Sequence, residues 1–536
     1  MKTSLYTLFA VFLWAKCCWV PVFSQSIMWQ KSFGGGNWDM LEAIAETTDG
    51  GYILAGSSKS NANGDKSQNN RGENDYWIVK LNSNRNISWQ KTIGGTSEDK
   101  VSSIIQTVDG GYLVGGRSNS PISNEKTDSS RGLYDYWVVK LSATGNIQWQ
   151  RTLGGSDDDI LTQVLQVADG GYLLVGFSRS GISGEKSLAS KGLSDGWIVK
   201  LNVAGDSILW QKCFGGNYDD YLYRATPTSD GGYVLAFSSS SDNTHDKTDP
   251  CKGSLDYWIV KLNASMNKQW DKTIGGSTVD DIRAVYQTTN GAYIVAGSSN
   301  SPVSGDKTAT NKGGYDYWFV RLSASGSLVI WQKTVGGSDD DYLRDFLLFG
   351  GEINLAGYST SGISGDKADS CRGAQDYWVV RVNESNGIIN DQITLGGNDI
   401  DLAYCLSLAS DNGYLLGGAS RSSNSGDKNS ASKGEYDYWI VKLLPSSTTA
   451  KPTEIITTER YSVFPNPVSA GKYLQGNFPI NSNILVTNVL GKNIWQQTIH
   501  EENMQLVASW LPGTYYICVR QPTGEIIYHQ KIIVMP

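Results

Sequence analysis

The chain has 536 residues, too many for one ordinary small domain. It carries 60 glycines, only 18% charged residues and a formal charge of −8. This composition favours turn-rich β structure over helical bundles, and its acidity argues against nucleic-acid binding.

Residues 1–25 begin with Lys2 and an apolar run, Leu5 to Trp14, that is too short to cross a bilayer. They predict a secretory signal cut near Ser24–Gln25. Cleavage would remove Lys2 and Lys16 but no acid, leaving a more acidic chain. Two of the seven cysteines would leave as well. The remaining five, Cys213, Cys251, Cys371, Cys405 and Cys518, are scattered without a CxxC pair, which predicts free thiols. No later apolar stretch is long enough for a transmembrane anchor.

From residue 26 to 444 one sentence recurs about every 60 residues. Asp-Tyr-Trp begins at Asp75, Asp135, Asp256, Asp316, Asp376 and Asp437, and Asp195-Gly-Trp is an altered copy. Trp-Gln-Lys or a variant begins at Trp29, Trp89, Trp149, Trp210, Trp270 and Trp331. Asp-Gly-Gly-Tyr stands at Asp49, Asp109, Asp169 and Asp230, with degenerate copies later. Each unit contains four runs rich in β-branched and aromatic residues, such as Val101–Thr107, Tyr112–Ser118, Tyr136–Ser142 and Ile147–Leu153. The Asp-Gly-Gly turn suits a tight hairpin.

Repeated four-strand units predict an all-β fold, a seven-bladed β-propeller, over a solenoid of shorter rungs. The mature start, Ser26–Phe33, is a fourth strand without its first three, and the last unit, Leu402–Leu444, lacks a fourth. Together they complete one blade and hide the sheet edges. Strand order, the glycines between strands and the outer Trp resemble the kelch and galactose-oxidase type of propeller. That resemblance concerns architecture over residues 26–444; the kelch double glycine is not matched and no activity is carried over.

Residues 445–458 are rich in Pro, Ser and Thr and read as a linker. Residues 459–536 lose the repeat and alternate like a small β-sandwich. Their elements "VFPNP" (Val463–Pro467), "ILVTNVLGK" (Ile484–Lys492), "LPGTYYICV" (Leu511–Val519) and "GEIIYHQKIIV" (Gly524–Val534) resemble the type A C-terminal sorting domain of the type IX secretion system. Pro465, Asn466, Pro467, Gly491, Gly513, Tyr515 and Lys531 carry the motif. The resemblance implies Sec export through the periplasm, handling by the type IX machinery, and release or attachment at the outer cell surface.

The chemistry-bearing residues are chiefly carboxylates. There are three histidines, and of these only His245 lies in the repeats, which argues against a Ser-His-Asp machine or a His-rich zinc centre. A turn acid recurs at Asp39, Asp99, Asp159, Asp220, Asp280, Asp341 and Asp401. A second acid recurs in the long loops at Asp65, Glu125, Glu185, Asp246, Asp306, Asp366 and Asp427, each followed by a lysine. Both sets fall at one end of the blades. They form a charged ligand face, or else seven copies of one turn-fixing device, and their sameness favours the device. The seven turn aspartates, His245 and Lys247 are the ligand-face candidates. The blade-four loop, Ser240–Gly253, departs from its siblings and holds that histidine.

No cofactor is expected. Calcium is the one candidate, at the "GGSDDD" turns Gly154–Asp159 and Gly336–Asp341, although these lack EF-hand spacing. The leading functional expectation is an exported binding or adhesion module for a glycan or protein. The alternatives are a polysaccharide-active enzyme using two unequal carboxyls, or a purely structural surface component.

Overall fold

The structure is a computed structural model that describes residues 26–444 and, beyond them, the strands between 463 and 535 with residues 481–482 and 499–500. The predicted signal, the predicted linker and motif residues Pro465, Asn466, Pro467 and Gly491 lie outside the described residues. The chain divides into two units, Met1–Thr448 and Thr449–Pro536.

The first unit is a β-propeller. Seven four-stranded antiparallel sheets follow one another, and six are built from consecutive strands, as in Asp99–Gln106, Tyr112–Ser118, Asp135–Leu141 and Ile147–Leu153. The seventh joins Asp401–Leu408, Tyr414–Ser420 and Asp437–Leu443 to Ile27–Phe33 from the other end of the chain. That last pairing is antiparallel, with Phe33 opposite Tyr438 and Ile27 opposite Leu443. The first strand of every sheet touches the first strands of its two neighbours, and the last sheet's touches Asp39–Glu46 of the first, so these strands surround a central channel.

The repeated letters build the joints between sheets. All seven tryptophans of the third strands are fully buried. Each donates its indole N–H to a fourth-strand side chain of its own sheet, Gln90 at Trp77 (3.0 Å), Asp271 at Trp258 (3.0 Å) and Gln30 at Trp439 (3.0 Å). The preceding tyrosine reaches into the next sheet: Tyr76 Oη donates to the Trp137 carbonyl at 3.0 Å, and Tyr438 Oη to the Trp77 carbonyl at 2.9 Å. The tyrosine hydroxyl fits because the second strand it meets carries glycine there. A methyl group at Gly56 would stand 2.6 Å from Tyr438 Oη, and one at Gly116 2.8 Å from Tyr76 Oη.

The altered third repeat obeys the same rule with the sizes exchanged. Gly196 replaces the tyrosine, and Phe237 replaces the glycine opposite. A methyl at Gly196 would lie 2.3 Å from the Phe237 ring, which packs 4.5 Å from Trp258. Gly196→Tyr is therefore expected to cost about 1–3 kcal/mol by overpacking. Adding Phe237→Gly should recover most of that loss. Denaturant melts of the two single variants and the double variant check it, and additive losses would show that the two positions are uncoupled.

On the face opposite the long loops, the Asp-Gly-Gly hairpins are held by charge. Asp109 accepts from Gly111 N–H (3.0 Å) and from the largely buried Lys140 Nζ (2.8 Å). Partial burial opposes ionisation there, but Lys140 and Thr107 hold the carboxyl down at about 2. Blade six lacks this aspartate and uses Glu352 with Arg381 instead.

The second unit has a three-stranded sheet and a five-stranded sheet. Ile484, Val486, Ile517 and Val519 alternate inward along the paired strands Asn483–Asn488 and Gly513–Arg520. Tyr515 is buried in the second of these strands, which starts at Gly513, and Lys531 lies in Ile526–Met535.

Candidate functional site

The seven turn aspartates are fully buried. One oxygen of each accepts a glycine N–H four residues back, Gly35 to Asp39 at 2.7 Å and Gly95 to Asp99 at 2.6 Å. The same oxygen accepts a serine hydroxyl, from Ser60 at 2.8 Å and Ser120 at 3.0 Å. This contact recurs at Asp159, Asp220, Asp280, Asp341 and Asp401. Lys247 is buried as well, donating to Thr273 Oγ1 at 2.7 Å with its ammonium 5.6 Å from the Trp258 ring centre. His245 alone of the ligand-face candidates is exposed, at φ 53 on its loop. The aspartates accept backbone and serine donors inside the loop layer, and Lys247 donates to a threonine there, so these eight groups lie beneath the exposed face and His245 lies on it.

The other oxygen of each turn aspartate has no hydrogen-bond partner among the described residues, and neither does one oxygen of each third-strand aspartate. The two kinds meet across the sheet boundary. A methyl at Gly154 would lie 2.0 Å from Asp135 Oδ1, which has no partner among the described residues, and 2.8 Å from Asp159 Oδ2, the oxygen that accepts Gly155 N–H and Ser180 Oγ. Burial pushes the Asp75 and Asp135 carboxyls up to about 7, and the facing Asp99 and Asp159 add to the rise.

The long-loop acids do not pair with the lysine that follows them. Each takes a cation from the preceding blade: Arg71 to Glu125 (2.8 Å), Arg131 to Glu185 (2.5 Å), Lys252 to Asp306 (2.8 Å) and Arg372 to Asp427 (3.2 Å). Lys191–Asp246, Lys312–Asp366 and Lys433–Asp65 complete a ring of seven. At the "GGSDDD" turns, Asp158 and Asp340 accept backbone N–H groups of Tyr134 and Tyr315. Among the described residues no three His, Cys, Asp or Glu side chains converge as a metal site.

The residues that do not repeat lie elsewhere. Every first strand carries a β-bulge three residues after its aspartate, where the register slips, as between Leu41 and Ala43 or Leu343 and Asp345. Bulges re-aim side chains and recur beside functional sites. Here the bulged residues are Glu42, Ser102, Thr162, Tyr223, Arg283, Arg344 and Tyr404, and all seven line one cavity of about 560 Å³ in the channel. Identical backbone thus presents seven side chains of mixed chemistry. The sequence signal was the free variation at the third position after each turn aspartate, directly after a neighbour that stays apolar (Leu41, Val101, Leu161, Leu222, Ile282, Leu343 and Ala403).

Five cations line this cavity: Lys100, Arg117, Arg224, Arg283 and Arg344. Arg224 pairs with Asp345 at 3.1 Å and donates to Tyr286 Oη at 2.5 Å. Arg283 pairs with Asp281 at 2.6 Å, donates to the Leu343 carbonyl at 3.2 Å and stands 5.2 Å over the Tyr223 ring. Lys100 pairs with Glu98. Arg344 lies 5.0 Å over the Tyr404 ring, and Arg117 lies 5.4 Å over Tyr134. Neither has a carboxylate or carbonyl partner among the described residues. Burial lowers the Arg344 pKa, and Arg283 beside it lowers it further. Burial raises the Glu42 carboxyl against the pull of Arg344, Arg117 and Lys100.

Comparison with known proteins assigns the C-terminal part. Residues 462–535 match the secretion system C-terminal sorting domain, so the chain carries a type IX sorting tail and is exported to the cell surface or secreted. A regulatory protein of Caulobacter vibrioides, FlaEY, is 21% identical over 283 residues, 49% of this chain and 30% of that protein. Among solved structures, a fungal alcohol oxidase of the AA5 family in complex with copper is similar at 11% identity and TM-score 0.46, covering 96% of this chain and 100% of that one. BamB from Moraxella catarrhalis is similar at 12% identity and TM-score 0.37, covering 78% and 99%. At these scores the propeller assignment rests on the sheets themselves. Among the described residues no helix is long and apolar enough to cross a membrane.

Proposed function

We propose that the protein is an exported binding module whose propeller channel takes a glycan. The observation that carries this reading is the bulge ring. A scaffold that repeats its buried letters so closely has no packing reason to vary these seven positions. They combine tyrosine faces, hydroxyls and charged forks in one cavity of about 560 Å³, a volume within the range of small-ligand sites. Sugars offer matching chemistry, with apolar ring faces for aromatics and hydroxyls for polar side chains.

A polysaccharide-cleaving enzyme is the second reading, prompted by the raised Glu42 carboxyl in the same cavity. It needs two working carboxyls. The cavity's other acid, Asp345, is committed to Arg224 and to the Leu406 N–H at 3.1 Å. A glycan array probed with the mature chain from residue 26 tests the proposal. Saccharide binding that Tyr223→Ala and Tyr404→Ala weaken about tenfold supports it, that being a common worth of one stacked aromatic. Binding lost instead on exchanging Ser240–Gly253 for its blade-five counterpart would move the site to the loops.

Export follows the Sec route to the periplasm in this reading, and the tail then directs passage to the surface. A chain ending at Leu444 is expected to accumulate in the periplasm, folded, as fractionation would show. Normal surface or medium levels of that truncated chain would remove the tail from this role.

A further inference from the structure

We propose that the channel recognises an acidic saccharide, holding its carboxylate or sulfate group on Arg344 with Arg117 as the second cation. This rests on the glycan reading above and specifies the class of sugar.

The cavity cations differ in their partners. Three of the five cavity cations, Lys100, Arg224 and Arg283, are matched to acids. Arg344 and Arg117 lie over the rings of Tyr404 and Tyr134 instead. A ring contact engages no N–H group, and neither guanidinium donates to an acceptor among the described residues. A guanidinium edge presents parallel donors at the spacing of two oxyanion oxygens, the geometry of bidentate carboxylate or sulfate recognition. An unmatched cation in a partly desolvated channel is costly to keep. Arg344 is kept beside a second guanidinium, Arg283, whose own acid is already engaged.

Glu42 completes the site. It stands in the field of Arg344, Arg117 and Lys100, yet makes no ion pair with them among the described residues. It is therefore a counter-charge at a distance, balancing the empty site without filling it. An incoming oxyanion takes the close position and is repelled by Glu42. Removing that charge should strengthen binding, whereas removing Arg344 should weaken it. A merely structural pair would lose function from either side.

The test uses the full mature chain and four probes: a galacturonate oligosaccharide, a sulfated galactan oligosaccharide, their neutral galactose counterpart, and inorganic sulfate. Titration calorimetry is expected to show one or both acidic sugars binding at least tenfold more tightly than the neutral one, with affinity falling as salt rises. Which acidic sugar wins identifies the group as carboxylate or sulfate. Arg344→Ala should cost tenfold or more. Arg344→Lys should recover only part, because a point charge replaces a fork. Glu42→Gln should tighten binding several-fold. Melting temperatures check that each variant is folded, and Arg117→Ala, at the second cation, gives a separate reading if Arg344→Ala is not. Equal binding of neutral and acidic sugars, unmoved by Arg344→Ala, would overturn the acidic class and leave the glycan reading standing. Protection by inorganic sulfate, lost in Arg344→Ala, without binding of any sugar would keep the oxyanion site and sink the glycan reading. No response to any of the four probes would overturn both.

Discussion

Deleting Ser26–Phe33 is expected to leave no stable ring. The deletion removes the fourth strand of the seventh sheet and exposes the whole edge of Asp437–Leu443. Phe33 is buried in the cluster that joins the last blade to the first, and Trp29 packs against it. Removing one buried aromatic of this kind costs about 3–5 kcal/mol. The deletion also takes Gln30, leaving the buried Trp439 indole N–H without its acceptor. The sum is comparable to the entire stability of an ordinary domain. An open edge of unpaired strand groups invites pairing with a second copy. Calorimetry and light scattering should show loss of the cooperative transition, or oligomers. A monomer melting at the parent temperature would refute closure by this strand.

The second large effect is on pH. All fourteen boundary aspartates are buried and their carboxyls raised, to about 7 at Asp75 and Asp135 and about 6 at Asp220, Asp256, Asp316, Asp376 and Asp437. The ordinary value is 3.8, so the folded chain binds more protons than the unfolded chain between these limits. The contribution of these groups to stability is complete below about pH 4 and is lost as pH rises through 6 and 7. Against these fourteen carboxyls stand the seven buried lysines Lys66, Lys126, Lys186, Lys247, Lys307, Lys367 and Lys428. Full ionisation would leave the loop layer with seven excess negative charges. The melting temperature is expected to fall by on the order of 10 °C from pH 5 to pH 8. Asp75→Asn removes one of the most strongly raised carboxyls and its repulsion on Asp99, and should flatten the profile, raising stability at pH 8 with little change at pH 5. Equal melting of the parent at both pH values would dismiss the raised carboxyls as the source of the dependence.

The propeller could be read from the sequence because its signals are local. The Asp-Gly-Gly turns, the period-two runs and the orphan strand at Ser26–Phe33 each report on a few neighbouring residues. The aspartate pairs are not local. Asp39 and Asp437 lie at opposite ends of the repeat region and meet only when the ring closes, so their shared burial had no trace in either copy. Repetition favoured a turn-fixing device for the acids, but the depth at which the turn aspartates are buried is set by the neighbouring blade and left no mark in a single repeat. The bulge ring was present in the letters as variation at the third position after each turn aspartate, alongside variation at the first and fourth. The step that turns that position toward the channel is a slip in strand register, which belongs to the pairing and not to either strand alone.

The exchange of Gly196 and Phe237 bears on assembly. Seven nearly identical sheets offer many wrong neighbours during folding, and a ring that skips a blade could satisfy most of the repeated contacts. The joint between blades three and four removes that degeneracy. Any other second strand offered to Gly196 would bring its glycine and leave a tyrosine-sized hole. Any other third strand offered to Phe237, as Tyr76 or Tyr136 would show, would bring a tyrosine into the same space. One mismatched pair is enough to tell the ring where its count begins, so this joint works as an index mark that sets the order of the blades.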